Sequence, residues 1–400
     1  MKFTPKSYAP LKGVVVIDLS RLVSGNMLSL QLADMGAEII KVESLKQGDP
    51  LRSWKLNNIE VFWKIYSRNK KSIALDYRSP EFKNIIYKMV KKADVFIENF
   101  RPGVLKKIGI SIPELQKINR KLIIVQISGF GKTGNYKNEP AFGTIVEAMS
   151  GFASRNGYSD KPPLLPPLAL ADMMAGLQGA YAVLVALREV EVKNKNGQII
   201  DLSLFEPIFS TLGPEAYSYK ILGEVKKRQG NRSNTAAPRD IYITKDSKYI
   251  ALSSSTQNMT IKLFNLMGTK NLINSEKFNS NENRIKNRDE VNDIVANWFK
   301  KYDEKTILKK FKNAGITASP IYSIKDIYND ENLKSRNVIV QLPDDDTHFS
   351  YHHNIHPRLS TTPGKFRYKA PKLGEHSEEI LHSFGFDKNT IKEFKNNNII

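Results

Sequence analysis

Asp172 is the one acid between Lys161 and Arg188, and it stands where a proline-rich run meets an apolar stretch of small residues, Met173-Met174-Ala175-Gly176-Leu177-Gln178-Gly179-Ala180. A carboxylate in that place has two readings. It can cap a helix, bonding orphan N–H groups and complementing the helix dipole. It can also serve as a nucleophile in a dry pocket, beside N–H groups able to hold developing negative charge.

Other chemistry-bearing patterns carry less. Gly129-Phe130-Gly131-Lys132-Thr133-Gly134 follows an apolar strand, but a Walker A loop needs Gly five positions before its Gly-Lys pair, and residue 126 is Gln. The loop Ser20-Arg21-Leu22-Val23-Ser24-Gly25 lacks G-x-G-x-x-G spacing. At a helix start it can present N–H groups to an anion, and it serves equally as a plain strand-to-helix turn. All six histidines lie at or after position 348, which argues against a Ser-His-Asp arrangement. His348, His352, His353 and His356 with Asp344–Asp346 mimic a metal site. Pro343 and Pro357 bracket them and favour extended chain, where a four-residue spacing covers about 13 Å, too far for shared ligation. No metal is expected. The chain has no cysteine, so disulfides, thiolate ligands and a cysteine nucleophile are excluded.

The 400 residues carry 61 Lys+Arg against 41 Asp+Glu, a formal charge of +20 that invites nucleic acid, an anionic membrane or a small polyanion. Arg68, Lys70, Lys71, Arg78, Lys91, Lys92, Arg101, Lys106 and Lys107 recur beside apolar strands, as a solvated face or as a field for phosphates. Nucleic-acid binding would want aromatics among them on one groove, whereas the aromatics here follow the apolar pattern. A non-catalytic nucleic-acid-binding protein is therefore a distant alternative. Lys/Asn-rich loops account for part of the surplus as compositional bias. The first 13 residues contain no apolar signal region, and the longest uncharged apolar stretch, 173–187, is shorter than the ~18–20 residues of a membrane span. It reads as a buried helix. The expectation is a cytoplasmic protein with no membrane partner.

The elements that must position these residues alternate. Gly13–Leu19 is a β-branched run, Leu28, Leu32 and Met35 follow at helical spacing, and 37–42 is a second strand, which makes a βαβ unit. Further strands at 95–97, 122–127 and 198–202, separated by helical stretches at 82–90, 112–118 and about 172–191, predict a Rossmann-like parallel sheet covered on both faces. Charge and turn formers at 224–238 mark a boundary. The reading is a large α/β domain over 1–212, a smaller α+β domain over 225–330, and a linker with C-terminal helices over 331–400. Asp240–Leu252 reads as a hairpin turning at 245–247, and 259–314 reads as helices. A second hairpin is expected at 338–351.

Several segments, in this order, resemble the class III CoA-transferase family, also called the CaiB/BaiF family. They are Val42-Glu43, RNKKSIALD at 68–76, ADVFIENFRPG at 93–103, Ile127–Gly131, Ala148–Gly151, Asp172–Gly176, GQIIDLS at 197–203 and Ala314-Gly315-Ile316 with Pro320. The resemblance runs collinearly from about Leu11 to Gly385. It implies an interlocked homodimer of Rossmann-like chains that transfer coenzyme A from an acyl-CoA to a small carboxylic acid, with no tightly bound cofactor and no metal. The family's nucleophilic aspartate falls on Asp172, which would pass through a mixed anhydride and an aspartyl-CoA thioester. Its CoA contacts fall on Val23, Ser24, Leu75 through Arg78, Asn99, Phe100, Arg101, Lys107 and the region 139–142, including Phe142. Arg78, Arg101 and Lys107 have the chemistry to hold phosphates.

The sequence departs from the family at Ser44, where many members have an Arg, with Lys46 as the possible substitute. The glycine-rich flap of formyl-CoA transferases is also absent after Gly230-Asn231-Arg232, which disfavours formyl and oxalate chemistry. The related α-methylacyl-CoA racemases are the alternative. Racemisation needs bases on both faces of the α-carbon, and the racemases' His-Asp pair is replaced here by Phe142-Gly143. Transferases also often carry an acid at the position of Gly143.

Overall fold

Successive residues of a strand point to opposite faces, so a strand apolar at every position must be covered twice. That is the situation of Val16 and Ile17, Ile39 and Ile40, and Ile123 and Ile124, each pair divided between two fully buried cores. The computed structural model describes residues 1–400. Its central sheet is six-stranded and parallel, built from β1 (Val15–Asp18), β2 (Glu38–Ser44), β3 (Lys70–Leu75), β4 (Val95–Glu98), β5 (Ile123–Ser128) and β6 (Ile199–Ser203). The strand order is β3-β2-β1-β4-β5-β6, and Ile17 stands in register with Ile40 on one side and Phe96 on the other. The expected parallel sheet is present. Its order reverses between β1 and β4, so the loops at the carboxyl ends of those strands flank a crevice suited to a ligand.

β3 was not among the strands read from the sequence, because two lysines open it. The structure explains both. Lys70 is wholly buried, its Nζ donating to the Asn26 carbonyl (3.1 Å) and side-chain oxygen (2.9 Å). Lys71 bridges Glu38 (2.8 Å) and Glu379 (2.7 Å).

Two compact units divide the chain: 1–153 with 165–224 and 337–400, and 154–164 with 225–336. The first holds the parallel sheet and a hairpin of β10 (Ile339–Asp344) and β11 (His348–His353). Its C-terminal helices return to the sheet, where the His376 N–H donates to the Ser72 carbonyl (2.9 Å) and the Asp76 N–H to that of Ile399 (2.9 Å). The second unit holds the antiparallel sheet of β7 (Arg239–Ile243), β8 (Tyr249–Ser253) and β9 (Ala318–Pro320), with Trp298 stacked on Phe311 in its core. Residues 154–164 join this unit rather than the large domain. The Gly230 N–H donates to the Gly157 carbonyl (2.8 Å), and the Arg228 guanidinium to those of Tyr158 (3.1 Å) and Lys161 (2.8 Å).

The apolar helix spans Leu170–Lys193, two residues earlier than read from the sequence, and follows Ala169, which makes no side-chain cap. Asp172 is therefore its third residue and not its N-cap. The helix lies directly on that of Ser24–Asp34. A Cβ on Gly176 would come within 2.8 Å of the Ser24 carbonyl oxygen and 2.6 Å of Met27 Cβ, and one on Gly179 within 2.5 Å of Leu28. Only hydrogen at these two positions permits the approach. Nor is this helix buried all round: Leu177, Tyr181, Leu184 and Val185 form one exposed apolar face.

Candidate active site

Close packing of the 24–34 and 170–193 helices brings two helix N-termini together. Asp172 sits in the first turn of one, partly buried, and Ser24, 3% exposed, opens the other. The hydroxyl and backbone N–H of Ser24 lie on the side of the Asp172 carboxylate and favour its charged form. Burial nevertheless pushes this carboxyl up to about 6, the negative charge of Glu147 adds to the rise, and the Ser24 donors offset part of it. The third wall is the helix Gly143–Met149. Gly143 faces the carboxylate so closely that a Cβ there would lie 2.3 Å from Asp172 Oδ2.

The loop that delivers Ser24 is held from beneath by buried charge. Asp49 accepts the N–H groups of Leu22 (2.9 Å) and Leu51 (2.9 Å) and the Asn26 side-chain amide (2.7 Å), and it pairs with Lys41 (3.1 Å). Burial opposes the ionised form of Asp49, but Lys41 and these donors outweigh it and hold the carboxyl below its usual range. Leu22 needs such a clamp: its φ of 62° is left-handed, at a cost on the order of 1 kcal/mol for a residue with a Cβ. Lys41 also meets Asp18 (3.4 Å) and the Ser20 carbonyl, while burial lowers Lys70 beside it to about 7 against the pull of Asp18.

Around the crevice, a cavity of about 490 Å³ is lined by Asn99, Phe100, Arg101, Ser128 and the 137–141 segment. The buried Ser128 hydroxyl has no partner within the chain. Of the residues expected to touch CoA, Asn99, Phe100 and Arg101 thus line one cavity, and the Arg101 guanidinium lies 6.0 Å from the ring of exposed Phe142. Arg78 and Lys107 are exposed on the segments after β3 and β4. Val23 is buried against Leu51 and Trp63. Leu75 is fully buried and its carbonyl accepts the Leu45 N–H (3.0 Å), so it contributes to the sheet core. The Asn99 amide is engaged with Arg21, accepting its N–H (2.8 Å) and donating to its carbonyl (2.7 Å), and so ties together the loops of β1 and β4.

The glycine-rich 129–134 loop is anchored rather than open. The Lys132 N–H donates to both oxygens of Asp201 (2.9 Å each), which gives the acid of the 197–203 motif a structural task. Glu147 and Asp49 were not singled out from the sequence. Glu147 carried a signal, as the one acid in an otherwise uncharged helix, GTIVEAM.

Known proteins agree with this architecture. The sequence model of CoA-transferase family III matches residues 11–377. The chain is 33% identical to a succinyl-CoA–D-citramalate CoA-transferase of Chloroflexus aurantiacus, over 93% of each chain. It is 31% identical to a succinate–glutarate CoA-transferase of Agrobacterium fabrum, over 94% of this chain and 96% of the relative. A CaiB/BaiF family protein from Brucella suis superposes with a TM-score of 0.82 at 30% identity, covering 94% of this chain and 100% of its own.

The raised carboxyl makes a prediction that needs no substrate. A group whose folded pKa exceeds its unfolded value of 3.8 destabilises the fold once ionised, fully above about 6 and not at all below the unfolded pKa. Asp172→Asn is therefore expected to raise the melting temperature at pH 8, and the increment should vanish as pH falls from 6 towards 4. An increment independent of pH would show that Asp172 carries no such penalty.

Proposed function

This chain belongs to CoA-transferase family III, and from that premise we propose that it moves coenzyme A between small dicarboxylic acids through covalent intermediates on Asp172. The observation that carries the reading is the Asp172 carboxylate itself. It is partly buried, its pKa is raised, it faces the Ser24 donors, and the neighbouring position 143 has no side chain to obstruct it. One carboxylate oxygen attacks the thioester carbonyl. The C–O bond forms as the C–S bond breaks, and the CoA thiolate leaves with the electron pair. The thiolate then attacks the aspartyl carbonyl of the mixed anhydride, giving an aspartyl-CoA thioester and releasing the first acid. The acceptor carboxylate runs the same two exchanges in reverse. Each exchange trades acyl bonds of similar energy, so the chemistry asks chiefly for position and for donors to developing oxyanions.

Ser24, at a helix N-terminus, is suited to such an oxyanion once Asp172 is acylated. The cavity beside Arg101 and Ser128 suits the carrier, and the exposed Arg78 and Lys107 suit its phosphates. The dicarboxylate preference rests on relatives named for succinyl-CoA, citramalate and glutarate. With succinyl-CoA as donor and a panel of dicarboxylic acids, the protein is expected to form the acceptor thioester. Asp172→Ala should lower that rate by about a thousandfold or more. A variant as active as the parent would refute the assignment.

For the exposed face of the 170–193 helix we propose a second copy of this chain as the occupant. Four apolar side chains on one face, Leu177, Tyr181, Leu184 and Val185, fit an obligate interface better than solvent. Sedimentation equilibrium should give a dimer, and Leu184→Glu should shift it towards monomer; a monomeric parent protein would contradict this.

A further inference from the structure

Glu147 is a buried acid that the transfer chemistry above does not use. It lies one helical turn after Gly143, on the same face, and is 2% exposed. Its Oε1 accepts the N–H of Ala171 (3.0 Å), the residue before Asp172 and one of the orphan donors in the first turn of the 170–193 helix. The point where a Gly143 Cβ would stand is 2.3 Å from Asp172 Oδ2 and 3.8 Å from Glu147 Oε1, which places the two carboxylates within about 6 Å of each other, inside the range of strong like-charge coupling. Among the leading influences on Asp172, Glu147 is the one other charged group. The 24–34 helix offers Ser24, and the acids of β6 and the helix that follows it have partners of their own, Asp201 the Lys132 N–H and Glu206 the Ser203 hydroxyl.

Two carboxylates in one small site repel, and the repulsion ends when one of them is esterified. From this we propose that Glu147 is a positioning residue acting through Asp172: it fixes the turn that aims Asp172 at Ser24, and its charge favours the acylated, uncharged form of Asp172 over the free carboxylate. Glu147 itself makes and breaks no bond. When Asp172 Oδ bonds to the acyl carbon and the thiolate departs with the electron pair, the negative charge moves from beside Glu147 to the leaving sulfur. The Ala171 N–H keeps Glu147 in place throughout. This inference rests on Asp172 being the nucleophile.

Glu147→Gln separates the two parts, since the amide oxygen still accepts the Ala171 N–H while the charge is gone. The acid limb of the pH–rate profile is expected to move down by about one pH unit. Formation of the acyl-enzyme at pH 8, followed by rapid-quench mass spectrometry, should slow about three- to tenfold, with KM for the acyl-CoA within about twofold of the parent. An unmoved acid limb would overturn the proposal, as would a loss confined to KM. Asp172→Ala, run in parallel, isolates the premise: if it retains transfer, the nucleophile assignment has failed and not merely the role of Glu147. Should the Gln variant not fold, carboxyl-labelled parent protein decides. The Asp172 resonance, identified by its absence in Asp172→Asn, should titrate well above the ordinary aspartate range, and titration near 4 would refute the coupling.

Discussion

The contact between the 24–34 and 170–193 helices is the constraint from which the site follows. Helices bearing ordinary side chains pack with axes ~8–10 Å apart, and here Gly176 and Gly179 let the backbone of one lie on Ser24, Met27 and Leu28 of the other. The first turns of the two helices then face one another. Ser24 comes to face Asp172 because nothing larger than hydrogen intervenes, and Gly143 extends the same rule to a third helix. Any Cβ at these places would separate the donors from the carboxylate before it changed any reacting group.

Holding two helix N-termini around a carboxylate also requires a rigid floor. The buried Asp18, Lys41, Asp49 and Lys70, with Asn26, supply it, and each charged member has at least one opposite partner within 4 Å. Buried ion pairs of this kind contribute little net stability, since desolvation consumes most of the attraction. Their evident use here is geometric: Asp49 keeps Leu22 in a left-handed conformation that the loop could not hold unaided. Across the crevice, the Asn99–Arg21 bonds join the β4 loop to the same segment.

Much of this could be read from the chain. Apolar runs announced β1, β2, β4, β5 and β6, and a lone acid in an apolar context announced Asp172. β3 escaped because Lys70 and Lys71 break the apolar pattern, and their partners, Asn26, Glu38 and Glu379, are distant in sequence. The helix start escaped because Ala169 carries no capping side chain, which made Asp172 look like the cap. Glu147 matters only through tertiary proximity to Asp172, and no spacing rule connects residues 25 positions apart on different helices. The resemblance supplied Leu75 and Phe100 as CoA contacts; Leu75 lies in the sheet core, while Phe100 packs edge-on against Tyr77 and also lines the cavity beside Arg101.

The positive charge now has a partial location. Arg78, Arg101 and Lys107 follow the carboxyl ends of β3 and β4, the edge at which a parallel sheet of this order receives a ligand. The central claim is that Asp172 itself becomes acylated, and trapping tests it most directly. The protein is incubated with succinyl-CoA, quenched with hydroxylamine, digested and mapped by mass spectrometry. The account predicts a single hydroxamate, on Asp172. A hydroxamate on any other carboxylate, or none while transfer proceeds, would contradict it.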